Sequence, residues 1–325
     1  MRLSSRTVLS ISVFIATAAL LAFVQVKVDN PILILERFMS GGGWLEILMA
    51  ASYGAIVAWF MYDPARSSRW RQVTWLVFSF VFFSQLVLGV TVSEKFLMTG
   101  ELHLPIPMMI MSGPIYRGDF SVMTILFVST ILLSGPAWCS HFCYFGALDG
   151  WAAGKKKRRK RLEKIWRLKI PFILIIIAVT ILLRMLNLEL LTATYIAIGF
   201  GVGGLAVMLI FSRAKGQMVH CLTWCPIGTI VSGAKHVNPI RLTIKDSCTN
   251  CMLCSSHCKY NALKKEDILS RKPAATCTLC GDCVSSCHAG SLQYKLFNLK
   301  PAMSRNIYLG ITITLHAMTM VLAKI

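Results

Sequence analysis

Charged residues are scarce in this chain, because Asp, Glu, Lys and Arg together make up only 15% of its 325 residues while 55% are hydrophobic. Acidic side chains are the rarest, with 14 Asp and Glu against 34 Lys and Arg and a formal net charge of +20. Together with a mean hydropathy of +0.63, this composition excludes a soluble protein with a large core. The sequence therefore predicts a protein that crosses a membrane several times.

The sequence also lacks a pair of histidines suited to haem and a clear signal-peptide cleavage site. A bis-histidine haem needs two histidines at similar membrane depth, but among the seven histidines only His316 lies clearly within an apolar stretch. We therefore expect no b-type haem. No convincing small-residue cleavage site follows the first apolar stretch, although Arg2 and Arg6 precede it as they would in a signal peptide. We expect an uncleaved helix there.

The apolar stretches predict six or seven membrane spans, since a helix needs about 20 mostly apolar residues to cross a bilayer. They lie at 7–26, 43–61, 72–92, 120–136, 168–186, 191–212 and 305–323. The last contains His316 and several threonines, so a helix on the membrane surface is its alternative. The expected fold is mainly α: a membrane helix bundle over 1–239, a small α+β domain over 240–298 and a membrane helix over 299–325.

Basic residues fall on alternate loops, which gives the orientation. Arg2 and Arg6, the loop with Arg66 and Arg69, the segment 155–169, and the loop with Arg213 all lie on one side, which is cytoplasmic by the positive-inside rule. The basic run 155–161 has the composition of a nucleic-acid patch, but between two spans it is better explained by attraction to anionic lipid headgroups. We expect no nucleic acid partner and a multi-pass protein of a bacterial or archaeal cytoplasmic membrane.

Eight cysteines form two successive runs with the spacing C-x2-C-x2-C-x3-C. In two-cluster ferredoxins the first three cysteines of such a run bind one [4Fe–4S] cluster and the fourth binds the other. One predicted centre therefore uses Cys248, Cys251, Cys254 and Cys287, and the other uses Cys277, Cys280, Cys283 and Cys258. Zinc and disulfides are the alternatives, but zinc sites rarely use so compressed a run and cytoplasmic thiols stay reduced. We expect a cytoplasmic ferredoxin-like segment.

The remaining four cysteines form two C-x3-C pairs, Cys139 with Cys143 after the fourth span and Cys221 with Cys225 after the sixth. Their flanks are similar, C-x3-C-Y-F-G-A against C-x3-C-P-I-G-T, which indicates an internal duplication. If the pairs face each other, their four thiolates suit a further iron–sulfur centre or another soft metal. A quinol or thiol redox role without metal, copper binding and inert buried cysteines are the alternatives.

Four residues are candidates for proton transfer to or from a quinol. His141 and His220 adjoin the C-x3-C pairs, where they are also candidates to donate a hydrogen bond to a cluster sulfur. Glu101 and His103 lie in the apolar loop 93–119, which is a candidate quinol site on the outer side. For this loop the alternatives are packing on neighbouring helices and a Met/His copper site.

The spans, the paired C-x3-C turns and the terminal double-cluster segment together resemble the NapH/MauN-type membrane ferredoxins, which are related to the membrane cluster-bearing parts of NosR and CcoG. The resemblance covers roughly residues 70–298. It implies cluster ligation from Cys248 through Cys287 and links the two C-x3-C turns to quinol oxidation. Proline is usual at three positions that are Tyr144, Lys259 and His288 here, which affects the expected reduction potentials and not the ligation.

The expected function is that of a membrane-integral electron-transfer subunit, a quinol dehydrogenase component. It relays electrons between the quinol/quinone pool and a partner redox protein of the soluble ferredoxin or cytochrome c type. The alternative is a membrane iron–sulfur reductase that acts in the maturation or regulation of a metal site such as copper. The sequence contains no immunoglobulin-like domain after the clusters and no flavin domain before the spans, so we expect neither the CcoG nor the NosR branch.

Overall fold

A computed structural model describes residues 4–28, 31–97, 106–119, 122–156 and 159–322. The chain forms two compact units, 1–103 with 294–325 and 104–293. Within the described ranges the α-helices and strands, in chain order, are α1 Ser5–Lys27, α2 Ile34–Phe38, α3 Gly42–Met61, α4 Pro64–Thr91, α5 Met109–Arg117, α6 Val122–Ser134, α7 Trp138–His141, α8 Tyr144–Gly154, α9 Ile165–Met185, α10 Leu190–Val207, α11 Arg213–Lys215, α12 Pro226–Val237, β1 Ile240–Ile244, α13 Leu253–His257, α14 Lys265–Leu269, α15 Asp282–Ser285, β2 Leu292–Leu296 and α16 Pro301–Leu322. The fold is mainly helical, as the sequence predicts.

Six helical segments in the described ranges are long and apolar enough to cross a membrane: Ser5–Lys27, Gly42–Met61, Pro64–Thr91, Thr124–Gly154, Ile165–Met185 and Leu190–Lys215. They overlap with the first six spans expected from the sequence and indicate a membrane protein, but the fourth runs beyond the expected 120–136 and contains Cys139 and Cys143, which were expected to follow it. The stretch 305–323, expected as a seventh span, lies almost entirely within the 22-residue helix α16. This helix is not among the six, and its buried face includes the polar side chains of Thr312, Thr314 and His316.

In the first unit, α1, α3 and α16 pack against one another. One apolar core contains Leu21, Ile47 and Val321. The helices approach closely at Gly54, where an added Cβ would lie 3.1 Å from Val13 and 3.3 Å from Ala317. The Nε2 of His316 lies 3.0 Å from the hydroxyl of Tyr53 within this bundle.

In the second unit, the described part of the apolar loop is a helix packed on its neighbours. Ile106 and Met108 form a core with Ile176 of α9 and Ala197 of α10. Residues 106–119 therefore pack on neighbouring helices, which is one of the alternatives to a quinol site in this loop. Glu101 and His103 lie outside the described residues. Farther along the chain, β1 pairs with β2 in a two-stranded sheet. The short helices α13, α14 and α15 accompany this sheet in the cysteine-rich segment.

Candidate metal centres

Four cysteines of the cysteine-rich segment line one cavity. They are Cys248, Cys251, Cys254 and Cys287, and we name this cavity I. Apolar side chains, among them Ile244, Ile268 and Leu292, form much of the rest of its wall. Three of these cysteines come from the first run and one from the second. The structure thus brings together the four residues that the sequence assigns to one cluster, while their ligation of iron stays a prediction.

The other four cysteines of the runs line a second cavity, cavity II. They are Cys258, Cys277, Cys280 and Cys283. Leu242, Ala262 and Leu263 belong to its apolar wall. The sulfur of Cys258 accepts a hydrogen bond from the backbone N–H of Ala262 at 3.3 Å. Hydrogen bonds of this kind are among the protein's means of tuning a cluster's reduction potential.

Two short helices place the fourth cysteine of each run in the cavity that the other run lines. Helix α13 carries the chain from Cys254 in cavity I to Cys258 in cavity II, and α15 carries it back from Cys283 to Cys287. The two helices contact each other. The second cysteine of each run is flanked by left-handed residues, Asn250 and Met252 in one run, Leu279 and Gly281 in the other. The two runs therefore wrap their cavities with the same backbone turn.

The two C-x3-C pairs also form matching turns, and all four of their cysteines are buried. Cys143 is the N-cap of α8 with φ −84° and ψ 112°, and Cys225 is the N-cap of α12 with φ −80° and ψ 121°. The sulfur of Cys143 accepts the N–H of Gly146 at 3.3 Å. Hydrogen bonds from the N–H groups of Gly228 and Ile227 favour the thiolate of Cys225. Burial has the larger effect, and it raises the pKa of the Cys225 thiol. This equivalence is what the duplicated flanks predict.

The first cysteine of each pair follows a glycine in the left-handed region. Cys139 lies in α7, four residues after Gly135 at φ +57°, and Cys221 lies in a π-helical turn, five residues after Gly216 at φ +67°. The second turn is tightly packed, because a Cβ on Gly228 would lie 2.4 Å from the carbonyl oxygen of Cys221. Only glycine fits this close approach of helix α12 to the cysteine turn.

The four cysteines of the two turns, which we name the turn site, are mutually close. Burial is the main cause that raises the pKa of Cys221 well above its usual value, and the neighbouring Asp149 and the three other cysteines raise it further. Asp149 is fully buried, and its Oδ2 accepts the backbone N–H of Cys221 at 3.0 Å. The structure thus brings together Cys139, Cys143, Cys221 and Cys225.

A buried lysine lies beside the turn site. Lys169 is only 2% exposed, and its Nζ donates to the carbonyl oxygen of Gly228 and to the hydroxyl of Ser232, each at 3.0 Å. Both acceptors are neutral. A buried ammonium without an anionic partner is costly. Lys169 lines a cavity with Cys139 and Cys221. The charge of a thiolate-ligated cluster there would compensate the lysine, so these residues fit such a group.

Two hydroxyl groups in this cavity, which we name the turn cavity, have no hydrogen-bond partner among the described residues. They belong to Thr276 and Thr278, which are buried on either side of Cys277. Buried hydroxyls are normally satisfied, and an unpaired one calls for an explanation. Cluster sulfur atoms accept hydrogen bonds, and this is a second observation by which the residues around the turn site fit an iron–sulfur group.

The two candidate histidines are buried in the same region. The Nδ1 of His141 lies 2.9 Å from the hydroxyl of Ser140 and 3.2 Å from the carbonyl oxygen of Ala137. Burial lowers the pKa of His220 to about 3, so its ring is neutral. Its ring packs against Gly204, where an added Cβ would lie 2.7 Å from Cε1. Their proposed roles beside a cluster stay predictions.

The basic loop between α8 and α9 contacts the cysteine-rich segment. The guanidinium of Arg159 donates to the carbonyl oxygen of Ser256, and that of Arg161 donates to the carbonyl oxygen and hydroxyl of Ser255. Both serines lie between Cys254 and Cys258. Sequence reasoning assigned this loop to lipid headgroups. It also missed Lys169, which shares α9 with Arg167 and Arg184, and Asp149, although a single charged residue in an apolar helix such as α8 is a readable sign.

In the part of the chain that the structure describes, no three His, Cys, Asp or Glu side chains converge closely enough to hold a single metal ion. The eight cysteines of the two runs line cavities I and II instead, and Cys139 and Cys221 line the turn cavity. In a cubane each of the four cysteines binds a different iron, so its ligands stand farther apart than those of a single ion.

Comparison with known families gives one match. Residues 119–162 match a family described as "4Fe-4S binding domain". The matched stretch contains Cys139 and Cys143 and none of the eight cysteines in the two later runs. No curated protein and no solved structure matches the chain. The chain thus contains a 4Fe-4S binding domain within a protein whose helices suit a membrane, which suggests iron–sulfur electron transfer.

Proposed function

We propose that this protein carries electrons between the quinol/quinone pool of a membrane and a partner redox protein through three iron–sulfur centres. Two are [4Fe–4S] clusters in cavities I and II, and the third is a cluster at the turn site. The observation that carries the proposal is the turn site itself: four buried cysteines from two equivalent turns, beside the buried Lys169, whose Nζ donates to two neutral acceptors and lies over the ring of Trp166.

The family match supports the third centre. A [4Fe–4S] cluster needs four thiolates, and the matched stretch 119–162 contains only Cys139 and Cys143. Cys221 and Cys225, which lie beside them, would supply the other two. The resemblance to NapH/MauN-type membrane ferredoxins points the same way and links these turns to a quinol.

The clusters would supply one-electron chemistry, and the chain's own residues would hold and tune them. The cysteines fix the positions, and the apolar walls of cavities I and II exclude water. Lys169 adds positive charge at the turn site. Lys235 adds positive charge near Cys277. Burial lowers the pKa of the Lys235 ammonium group, and the nearby Cys277 opposes that shift. Buried cations at these positions would favour the reduced, more negative clusters.

Oxidation of a hydroquinone releases two electrons and two protons, so the site needs proton acceptors. Glu101, His103, His141 and His220 are the candidates from the sequence, and His220 is a weak base because burial lowers its pKa to about 3. The partner at the other end is a ferredoxin-type or cytochrome c-type protein. The positive-inside pattern of the loops supports a cytoplasmic position for the cysteine-rich segment.

The test uses the purified full chain in lipid nanodiscs under anaerobic conditions. A hydroquinone added to the oxidised protein is expected to bleach the visible absorbance of the clusters. The variant Cys139→Ser/Cys225→Ser should lose this response but keep bleaching by dithionite. Ser129→Ala, an exposed change on α6, is the matched control and should behave as the natural protein does. Bleaching of the natural protein by dithionite but not by any hydroquinone would contradict the proposal.

A further inference from the structure

The turn cavity and cavity II share part of their walls. Tyr260, Cys277 and Thr278 line both. Cys277 is a predicted ligand of the cluster in cavity II, and the turn cavity also contains Cys139 and Cys221 of the turn site. The turn site and the cluster of cavity II are therefore direct neighbours.

Two hydrogen bonds join the same pair of sites. The hydroxyl of Ser140 donates to the carbonyl oxygen of Thr278 at 2.9 Å, and the hydroxyl of Tyr260 donates to the carbonyl oxygen of Cys139 at 3.3 Å. Thr278 directly follows the ligand Cys277, and Tyr260 lies two residues after Cys258. Each bond thus connects a residue at the turn site to a residue that lies one or two positions after a cysteine of cavity II.

Cavity I lies at the other end of this arrangement. It shares no lining residue with the turn cavity or with cavity II. Its link runs to cavity II, through α13 from Cys254 to Cys258 and through α15 from Cys283 to Cys287. Of the twelve cysteines, all of which the structure describes, Cys251 of cavity I is the one exposed to solvent, while the four of the turn site are buried.

We infer that the three centres form a linear path, with the cavity II cluster in the middle, the turn site at the membrane end and cavity I at an exit beside Cys251. The inference rests on the proposed function and adds the order of the centres. A hydroquinone at the membrane end would lose two electrons and two protons. The electrons would pass singly along the path to a one-electron acceptor, such as a ferredoxin-type protein, at the exposed end.

Magnetic coupling between reduced clusters tests this order, because it weakens steeply with distance. The protein, reduced fully with dithionite, is examined by electron paramagnetic resonance. Cys280→Ala removes the second cysteine of the run in cavity II, and Cys251→Ala removes the equivalent cysteine in cavity I, so each is the matched control of the other. Cys251→Ala should retain a coupled pair of clusters. Cys280→Ala should leave two clusters without coupling, and a coupled pair in Cys280→Ala would overturn the order.

Iron analysis of the same samples separates this inference from the proposed function. If Cys280→Ala and Cys251→Ala each keep only one cluster, the turn site holds none and the proposed third centre fails. If both variants keep two clusters, the coupling pattern alone decides the order.

A second variant covers the case in which Cys280→Ala does not assemble. Tyr260→Phe removes only the hydroxyl that donates to Cys139, and Tyr195→Phe, an exposed change on α10, is its control. Tyr260→Phe should slow reduction of the clusters by a hydroquinone several-fold while dithionite reduction keeps its rate. Equal hydroquinone rates in both variants would contradict a path through this contact.

Discussion

The Nζ of Lys169 lies 3.0 Å from the carbonyl oxygen of Gly228, three residues after Cys225. Through this contact α9 places its buried positive charge against the first turn of α12, beside the turn site. A charge in this position acts on any cluster that the four cysteines hold. The reduction potential of such a cluster therefore depends on Lys169.

Replacing the buried lysine should lower the reduction potential of the turn-site cluster. In Lys169→Met the added electron loses the attraction of the ammonium group, a cost on the order of 1–3 kcal/mol at an effective dielectric constant near 20. Potentiometric titration followed by paramagnetic resonance measures the shift. Arg167→Met changes an exposed charge on the same helix and should leave the potential almost unchanged. An unaltered potential in Lys169→Met would show that no cluster lies near this residue.

A methyl group on Gly228 should disrupt the turn site. Its Cβ would lie 2.4 Å from the carbonyl oxygen of Cys221, so Gly228→Ala must displace the turn, at about 1–3 kcal/mol. We expect iron to be lost from the turn site, measured as iron per chain. Gly233→Ala lies in the same helix with nothing within 4 Å of the added Cβ, and should be neutral or stabilising by about 0.5–1 kcal/mol. Equal iron contents in the two variants would refute the packing argument.

The basic loop should stabilise the cluster segment. Arg161→Ala leaves the carbonyl oxygen and hydroxyl of Ser255 without this charged donor, a loss of about 1.5–3 kcal/mol. The clusters of cavities I and II should then decay faster when the protein is warmed, which is followed by visible absorbance. Lys160→Ala removes an exposed charge from the same loop and is the control. If the loop serves only lipid headgroups, the two variants will decay at the same rate.

Iron removal should unfold the cysteine-rich segment before the helical parts. Its backbone consists of short helices and left-handed turns around cavities I and II, and buried apolar side chains such as Ile268 and Leu263 line those cavities. Treatment with a chelator and an oxidant should open the segment to trypsin at the exposed Lys265, as peptide mapping would show. Reloading with iron and sulfide should restore protection. A cleavage pattern that is independent of iron would mean that the segment folds without clusters.

Spacing alone identified much of the site. The ligand exchange between Cys258 and Cys287 follows from the C-x2-C-x2-C-x3-C pattern, and the structure groups these cysteines in the same way. The equivalence of Cys143 and Cys225 could be read from their flanks because both precede helices with glycine at the third position. Hydropathy located six membrane-length helices because that property depends only on local composition.

Other features depend on tertiary contacts that a sequence does not display. Lys169 belongs in sequence to the end of the basic segment 155–169 and the start of the expected span 168–186, and only the fold shows that it lies beside the cysteines. Arg161 was assigned to lipid because its neighbour in space, Ser255, is far along the chain. The stretch around His316 forms a helix. Because its buried face carries polar side chains, the helix is not apolar enough to count as a membrane span.

The central claim, a third iron–sulfur centre at the turn site, is tested most directly by counting iron and acid-labile sulfide in the purified full chain and in Cys139→Ser/Cys225→Ser. With three cubanes we expect about twelve of each per chain in the natural protein and about eight in the variant. About eight in both proteins would contradict the claim.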